Sequence, residues 1–183
     1  MTLSPGDAFA SLIHLFTLPS GSLLLLTGPR GSGKTGWCQN LFRLAQIRGL
    51  RVGGVISPAL LQDGRKTGIA LQLLPEKEER VLARSRTAAN SPSWSKNWHI
   101  DETVLAWANR HLARVGEVDV LIIDELGPLE FEFGRGLQNA FPLLDERRYG
   151  LAAVVVRPSL LPRAQKRWPW ARIITLPESA VHD

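Results

Sequence analysis

One octapeptide, Gly28-Pro29-Arg30-Gly31-Ser32-Gly33-Lys34-Thr35, limits what this chain can fold into more than any other feature. It fits the pattern Gly-x-x-x-x-Gly-Lys-Ser/Thr, and its setting fits as well. The apolar run Leu23–Leu26 leads into it, and from about Lys34 to Arg48 the residues Cys38, Leu41, Phe42 and Ala45 recur on one helical face, with Gly49 as the stop. Glycines let a loop curl around an anion with its backbone N–H groups turned inward, and the helix that follows adds its positive end. Lys34 would then carry a mobile charge to the β- and γ-phosphates of a nucleotide, and the Thr35 hydroxyl would ligate Mg²⁺. Arg30, at a variable position of the loop, either touches a phosphate or faces water.

Around this loop the chain alternates strand-like and helix-like stretches. Val52–Ser57 reads as a second strand, and Asp63-Gly64 as the turn of a hairpin between Ala59–Leu61 and Thr67–Leu74, with a further short strand at Glu79–Ala83. Residues 84–97 read as an irregular connection. Asp101 caps a helix to about Val115, Val118–Ile123 is a buried strand, and a helical stretch over 134–148 is expected to be kinked or divided by Pro142. Leu151–Val156, Ser159–Trp168 and Arg172–Thr175 follow as strand, helix and strand. Before the loop, Ser4 to about Leu18 reads as an additional amphipathic helix. The expected fold is α/β, three-layered, with a mostly parallel sheet and a β-hairpin as insertion or edge, all in one domain over 1–183 with 176–183 as a tail.

A phosphate loop needs a partner for its metal. Val120-Leu121-Ile122-Ile123-Asp124-Glu125 supplies one, since the C-terminal end of a buried parallel strand opens onto the ligand crevice. Asp124 would hold Mg²⁺ and Glu125 would orient or deprotonate the attacking water. Glu130 follows as a third acid with a structural role, and Arg157, just after the Val154–Val156 strand, is either an in-cis arginine for γ-phosphate charge or a surface residue.

Composition narrows the setting. Of 183 residues, 44% are hydrophobic and 21% charged, an ordinary globular mix, and the single Cys38 rules out an internal disulfide or a multi-cysteine metal site. The apolar runs are far shorter than the roughly 20 residues of a membrane helix, and the first lysine or arginine is Arg30, so a cytoplasmic protein without membrane attachment is expected. The net charge of +5 suits polyanionic partners. Trp98-His99 could stack on a base, although packing is the simpler role. Arg163, Lys166 and Arg167 with Trp168 and Trp170 have the composition of a single-strand nucleic-acid surface, with a solvated face over packed tryptophans as the favoured reading.

The loop, Val52-Gly53-Gly54-Val55-Ile56-Ser57-Pro58, the Asp63–Ile69 hairpin and Asp124-Glu125-Leu126-Gly127-Pro128-Leu129-Glu130 occur in the order seen in the THEP1-type nucleoside-triphosphatases, which this sequence resembles from about Leu23 to Thr175. The resemblance implies a RecA-like core and slow, Mg²⁺-dependent hydrolysis of ATP, GTP and other nucleoside triphosphates to diphosphate and phosphate. By matching position it implies a nucleotide site formed by Gly28, Pro29, Arg30, Gly31, Ser32, Gly33, Lys34 and Thr35 with Leu121, Ile122, Ile123, Asp124, Glu125, Leu126, Gly127 and Pro128. Of these, Lys34 and Glu125 would be catalytic, and Thr35 and Asp124 metal ligands. The sequence departs from the family in having Leu176-Pro177-Glu178-Ser179 where an Asn-Arg pair is common. It has no Asn-Lys-x-Asp string for reading guanine, which suits weak base discrimination. Two alternatives stay open: a kinase acting on a nucleotide or small molecule, and a nucleotide-gated module that binds nucleic acid or protein.

Overall fold

The computed structural model describes residues 12–85 and 98–178. The cap expected at Ser4 and most of the 84–97 connection lie outside them. Residues 12–15 are helical, and Leu12 is buried against the sheet.

Among the described residues, nine strands form one sheet. They are β1 (Ser22–Thr27), β2 (Val52–Ile56), β3 (Ala59–Gln62), β4 (Arg65–Leu74), β5 (Glu79–Ser85), β6 (Trp98–Ile100), β7 (Val118–Leu126), β8 (Tyr149–Val156) and β9 (Arg172–Thr175). The order is β6-β5-β4-β2-β7-β8-β1-β9, with β3 paired to β4. From β2 to β9 every pairing is parallel, whereas β4, β5 and β6 continue the sheet antiparallel.

The central strands are apolar on both faces because both are covered. Leu24, Leu26, Val120, Ile122, Ala153 and Val155 meet α1 (Lys34–Ile47) through Trp37, Cys38, Leu41 and Phe42. Leu23, Leu25, Leu121, Ile123, Ala152 and Val154 meet α2 (Glu102–Leu112) and the helices that follow β7. Asp101 caps α2, its carboxylate accepting from the Thr103 N–H at 2.9 Å.

The hairpin is an insertion after β2: β4 joins the sheet beside β2, β3 pairs with β4, and β5 and β6 extend the sheet beyond β4. Other expectations are corrected. Trp98–Ile100 adds a three-residue strand that composition did not reveal. The stretch 134–148 holds no kinked helix. Instead α3 (Pro128–Phe131) starts at Pro128, and α4 spans only Ala140–Glu146. Pro142 therefore lies in the first turn of α4, where its missing N–H has no helical partner to lose. After β8, a 3₁₀ turn at Pro158–Leu160 leads into α5 (Leu161–Arg167), and Trp168 is buried on Phe131 and Phe141.

Candidate active site

β1 and β7 are separated by β8, so the phosphate loop and the acidic strand end face one another across the C-terminal edge of the middle strand. That order fixes what each side chain can reach.

Gly33 caps α1 in the left-handed conformation, φ 82°, and the first turn of α1 carries no acidic residue to compete with an anion at its positive end. The Lys34 ammonium folds back over the loop, donating to the carbonyls of Gly28 at 2.9 Å and Pro29 at 2.7 Å and to Ser32 Oγ at 3.3 Å. Partial burial lowers its pKa, and the negative charges of Glu125 and Asp124 oppose that shift. The segment after β9 braces the loop from below. Leu176 N–H donates to Thr27 O at 2.8 Å, and a Cβ on Gly28 would stand 2.6 Å from Leu176 O.

On β7 the strand geometry changes at the acids. Ile123 pairs with Val154 but Leu126 with Val156, so three steps on β7 face two on β8. A bulge of this kind breaks the strict alternation of side chains and re-aims them. Asp124 turns into the interior, 3% exposed, where its carboxylate accepts the Ser57 N–H at 3.1 Å. Burial pushes the Asp124 carboxyl up to about 6, while the Ser57 N–H, the nearby Thr35 hydroxyl and the Lys34 charge pull it back. Glu125 remains part exposed and accepts from Arg157 Nε, which leaves the sheet at the end of β8.

Lys66 was not among the residues singled out by sequence. It stands at the start of β4, whose antiparallel pairing with β2 carries the hairpin past the C-terminal edge of the parallel strands. Its Nζ lies 5.5 Å from the centre of the Trp98 ring. Partial desolvation and then the Arg30 charge lower its pKa, while Glu125 and Asp124 raise it. Arg30, Lys34, Lys66 and Arg157 thus oppose Asp124 and Glu125 in one electrostatic neighbourhood, a surplus of positive charge suited to a polyphosphate. The signal available in the sequence was the Arg65-Lys66 pair next to a hairpin turn, but only the direction of β4 shows where it leads.

Other expected residues fall into place around this centre. Leu121, Ile122, Ile123 and Leu126 are buried core residues that position the acids. Gly127 and Pro128 start α3. The Glu130 carboxylate accepts from the N–H groups of Gly127 at 2.8 Å and Leu137 at 2.9 Å, which ties the turn after β7 together, and burial raises its pKa. The Gly54 of the Gly-Gly motif has φ 117°, and a Cβ there would lie 1.9 Å from Ile122 O, so β2 approaches β7 at this point only as glycine. Burial pushes the Cys38 thiol well up, which keeps it an inert core residue. Three members of the basic and tryptophan cluster have partners within the fold. Arg167 and Trp168 Nε1 both donate to Asp145, and Arg163 pairs with Glu132 at 3.7 Å.

Thr35 and Asp124 offer a hydroxyl and a carboxylate on the same side of the site, hard oxygen donors, the carboxylate held by the Ser57 N–H. That donor set suits Mg²⁺, which takes few protein ligands and completes its shell with water and phosphate.

A family model described as NTPase matches residues 23–173. The nucleoside-triphosphatase THEP1 of Thermococcus kodakarensis is 33% identical over 131 residues, 66% of this chain and 73% of that one. THEP1 of Hyperthermus butylicus is 30% identical over 156 residues, 83% of this chain and 82% of its own. Among solved structures, a human cancer-related nucleoside triphosphatase matches with a TM-score of 0.59 at 20% identity, over 85% of this chain and 88% of that one. THEP1 from Aquifex aeolicus matches with a TM-score of 0.58 at 15% identity, over 86% and 90%. These two likenesses establish the α/β fold. No described helix is long and apolar enough to cross a membrane.

Proposed function

The chain belongs to the NTPase family, whose relatives here are THEP1-type nucleoside-triphosphatases, and from that premise we propose that it hydrolyses nucleoside triphosphates to diphosphate and phosphate, with Mg²⁺ and little regard for the base. The observation that supports this reading is the placement of the phosphate loop after β1 and of Asp124 at the end of β7 on either side of β8, with the Asp124 carboxylate held by the Ser57 N–H and within electrostatic reach of Lys34.

In this mechanism the N–H groups of the loop and the start of α1 bind the α- and β-phosphates. Lys34 exchanges its bonds to Gly28 O and Pro29 O for phosphate oxygens, which are stronger acceptors. Thr35 and Asp124 would hold the magnesium ion, which when bound supplies charge neutralisation on the β- and γ-phosphates. Glu125 orients a water in line with the γ-phosphorus and takes its proton. The water oxygen bonds to phosphorus as the bridging bond to the β-phosphate breaks, and the bond electrons leave with the diphosphate. Lys66 adds positive charge from the hairpin side. Because no Asn-Lys-x-Asp string reads the base, the phosphates carry recognition. A cytoplasmic location is part of this proposal.

Phosphate release from each of the four ribonucleoside triphosphates, with and without Mg²⁺, tests the reading. Comparable Mg²⁺-dependent rates support it; release that ignores Mg²⁺, or is confined to one base, contradicts it.

A further inference from the structure

The Arg157–Glu125 pair joins the group assigned to water activation to a cation on a different strand. Its placement follows from the sheet. β8 lies between β1 and β7, with Leu26 paired to Val155 and Leu126 paired to Val156. Arg157 is the next residue, so its backbone sits level with both the phosphate loop and the acidic strand end. That backbone is fixed: Val154, Val155 and Val156 are buried, and Arg157 O accepts the Leu160 N–H of the 3₁₀ turn at 2.9 Å. The side chain is not. It is 57% exposed, and its guanidinium charge reaches both Lys34 and Lys66. An arginine anchored at its root and solvated along its length can change partners without moving the sheet.

We infer that Arg157 is a γ-phosphate-sensing positioning residue, shared between Glu125 and the terminal phosphate. While the guanidinium grips Glu125 Oε1, that oxygen is not available to a water. A γ-phosphate in the site offers the guanidinium a doubly charged partner with paired terminal oxygens that suit its fork. The arginine moves to it, and Glu125 Oε1 turns to the water. A diphosphate leaves the γ position empty, its β-phosphate being held in the loop, so Glu125 remains held. The device makes the carboxylate available only when there is a bond to cleave. It rests on the assignment of Glu125 as the group that handles the attacking water.

Calorimetric titration of the full chain with a non-hydrolysable ATP analogue and with ADP, both in Mg²⁺, tests the exchange. Arg157→Gln is expected to weaken the analogue on the order of tenfold, the value of one charged hydrogen bond, and to leave ADP within about twofold. Arg157→Lys, which keeps charge but loses the fork, falls between. Glu125→Gln releases the arginine and so tightens the analogue by roughly threefold or more beside Arg157, but not in the Arg157→Gln background. Equal losses for analogue and ADP, or the same Glu125→Gln effect in both backgrounds, would overturn the inference. Thermal unfolding of each variant verifies that the fold is intact. Phosphate release by Glu125→Gln is read separately: if it persists at the wild-type rate, the role of Glu125 fails, whatever the binding cycle shows.

Discussion

The Ser57 N–H donates to the Asp124 carboxylate at 3.1 Å across the β2–β7 pair, and the Thr35 hydroxyl in the first turn of α1 lies near enough to the same carboxylate to favour its charged form. The arrangement rests on three separate features: the cap of α1 at Gly33, the bulge in β7 and the Ser57 N–H that steers the carboxylate. The residues around it yield consequences that can be measured.

Lys34 spends all its hydrogen bonds on the phosphate loop and none on the core. Lys34→Ala is therefore expected to leave the fold intact while weakening a non-hydrolysable ATP analogue roughly 10- to 100-fold. Calorimetry showing unchanged affinity would remove Lys34 from the phosphate site.

Glu125 makes no contact that holds the sheet together, its carboxylate bonding only to the exposed Arg157 among the interactions described. Glu125→Gln should keep nucleotide binding and lose about 10²- to 10⁴-fold in phosphate release, the usual contribution of a positioned proton acceptor. A colorimetric phosphate assay run beside the binding titration separates the two effects.

Gly54 lies where β2 and β7 come too close for a side chain, at φ 117° and with 1.9 Å between a notional Cβ and Ile122 O. Gly54→Ala should cost about 3 kcal/mol or more, from strain and forced separation of the strands, read as a lower urea midpoint. Loss of Ser57 from its place beside Asp124 would accompany it, so residual folded protein should also bind Mg²⁺-nucleotide less well.

Tyr149 is buried and donates to Leu144 O at 3.0 Å, and burial raises its pKa to about 12. An unfolded tyrosine titrates near 10. A group whose folded pKa is raised contributes stability that is fully present below the unfolded pKa and is lost as pH rises through the folded one. The advantage of wild type over Tyr149→Phe should therefore hold to about pH 10 and shrink between about 10 and 12. Denaturant unfolding of both proteins across that window measures it; a difference that does not vary with pH would contradict the assignment.

Much of this site was legible before any coordinates, and the reasons are local. Gly28–Thr35 and the run ending in Asp124-Glu125 announce themselves because loop, strand and helix chemistry is written in adjacent residues. The central strands read correctly because burial on both faces leaves uninterrupted Leu, Ile and Val. What escaped depends on distant partners. The bulge that turns Asp124 and Glu125 to separate partners is a property of the β7–β8 register, not of either residue. Lys66 reaches the site only because β4 runs antiparallel to β2. Pro142 suggested a kinked helix because its neighbours look helical, whereas the helix begins two residues earlier and accommodates it. Trp98–Ile100 became a strand through pairing with β5, which short-range pattern cannot announce.

The account stands on one ion and one polyphosphate being shared by two motifs, and the most direct measurement is a cycle of Thr35→Ala, Asp124→Asn and the double variant in Mg²⁺-dependent phosphate release. If both side chains serve the same ion, each single change removes most of the activity and the double change costs little more than the worse single one. Fully additive losses, or a single variant that releases phosphate as fast as wild type, would show that the two residues do not act on a common centre.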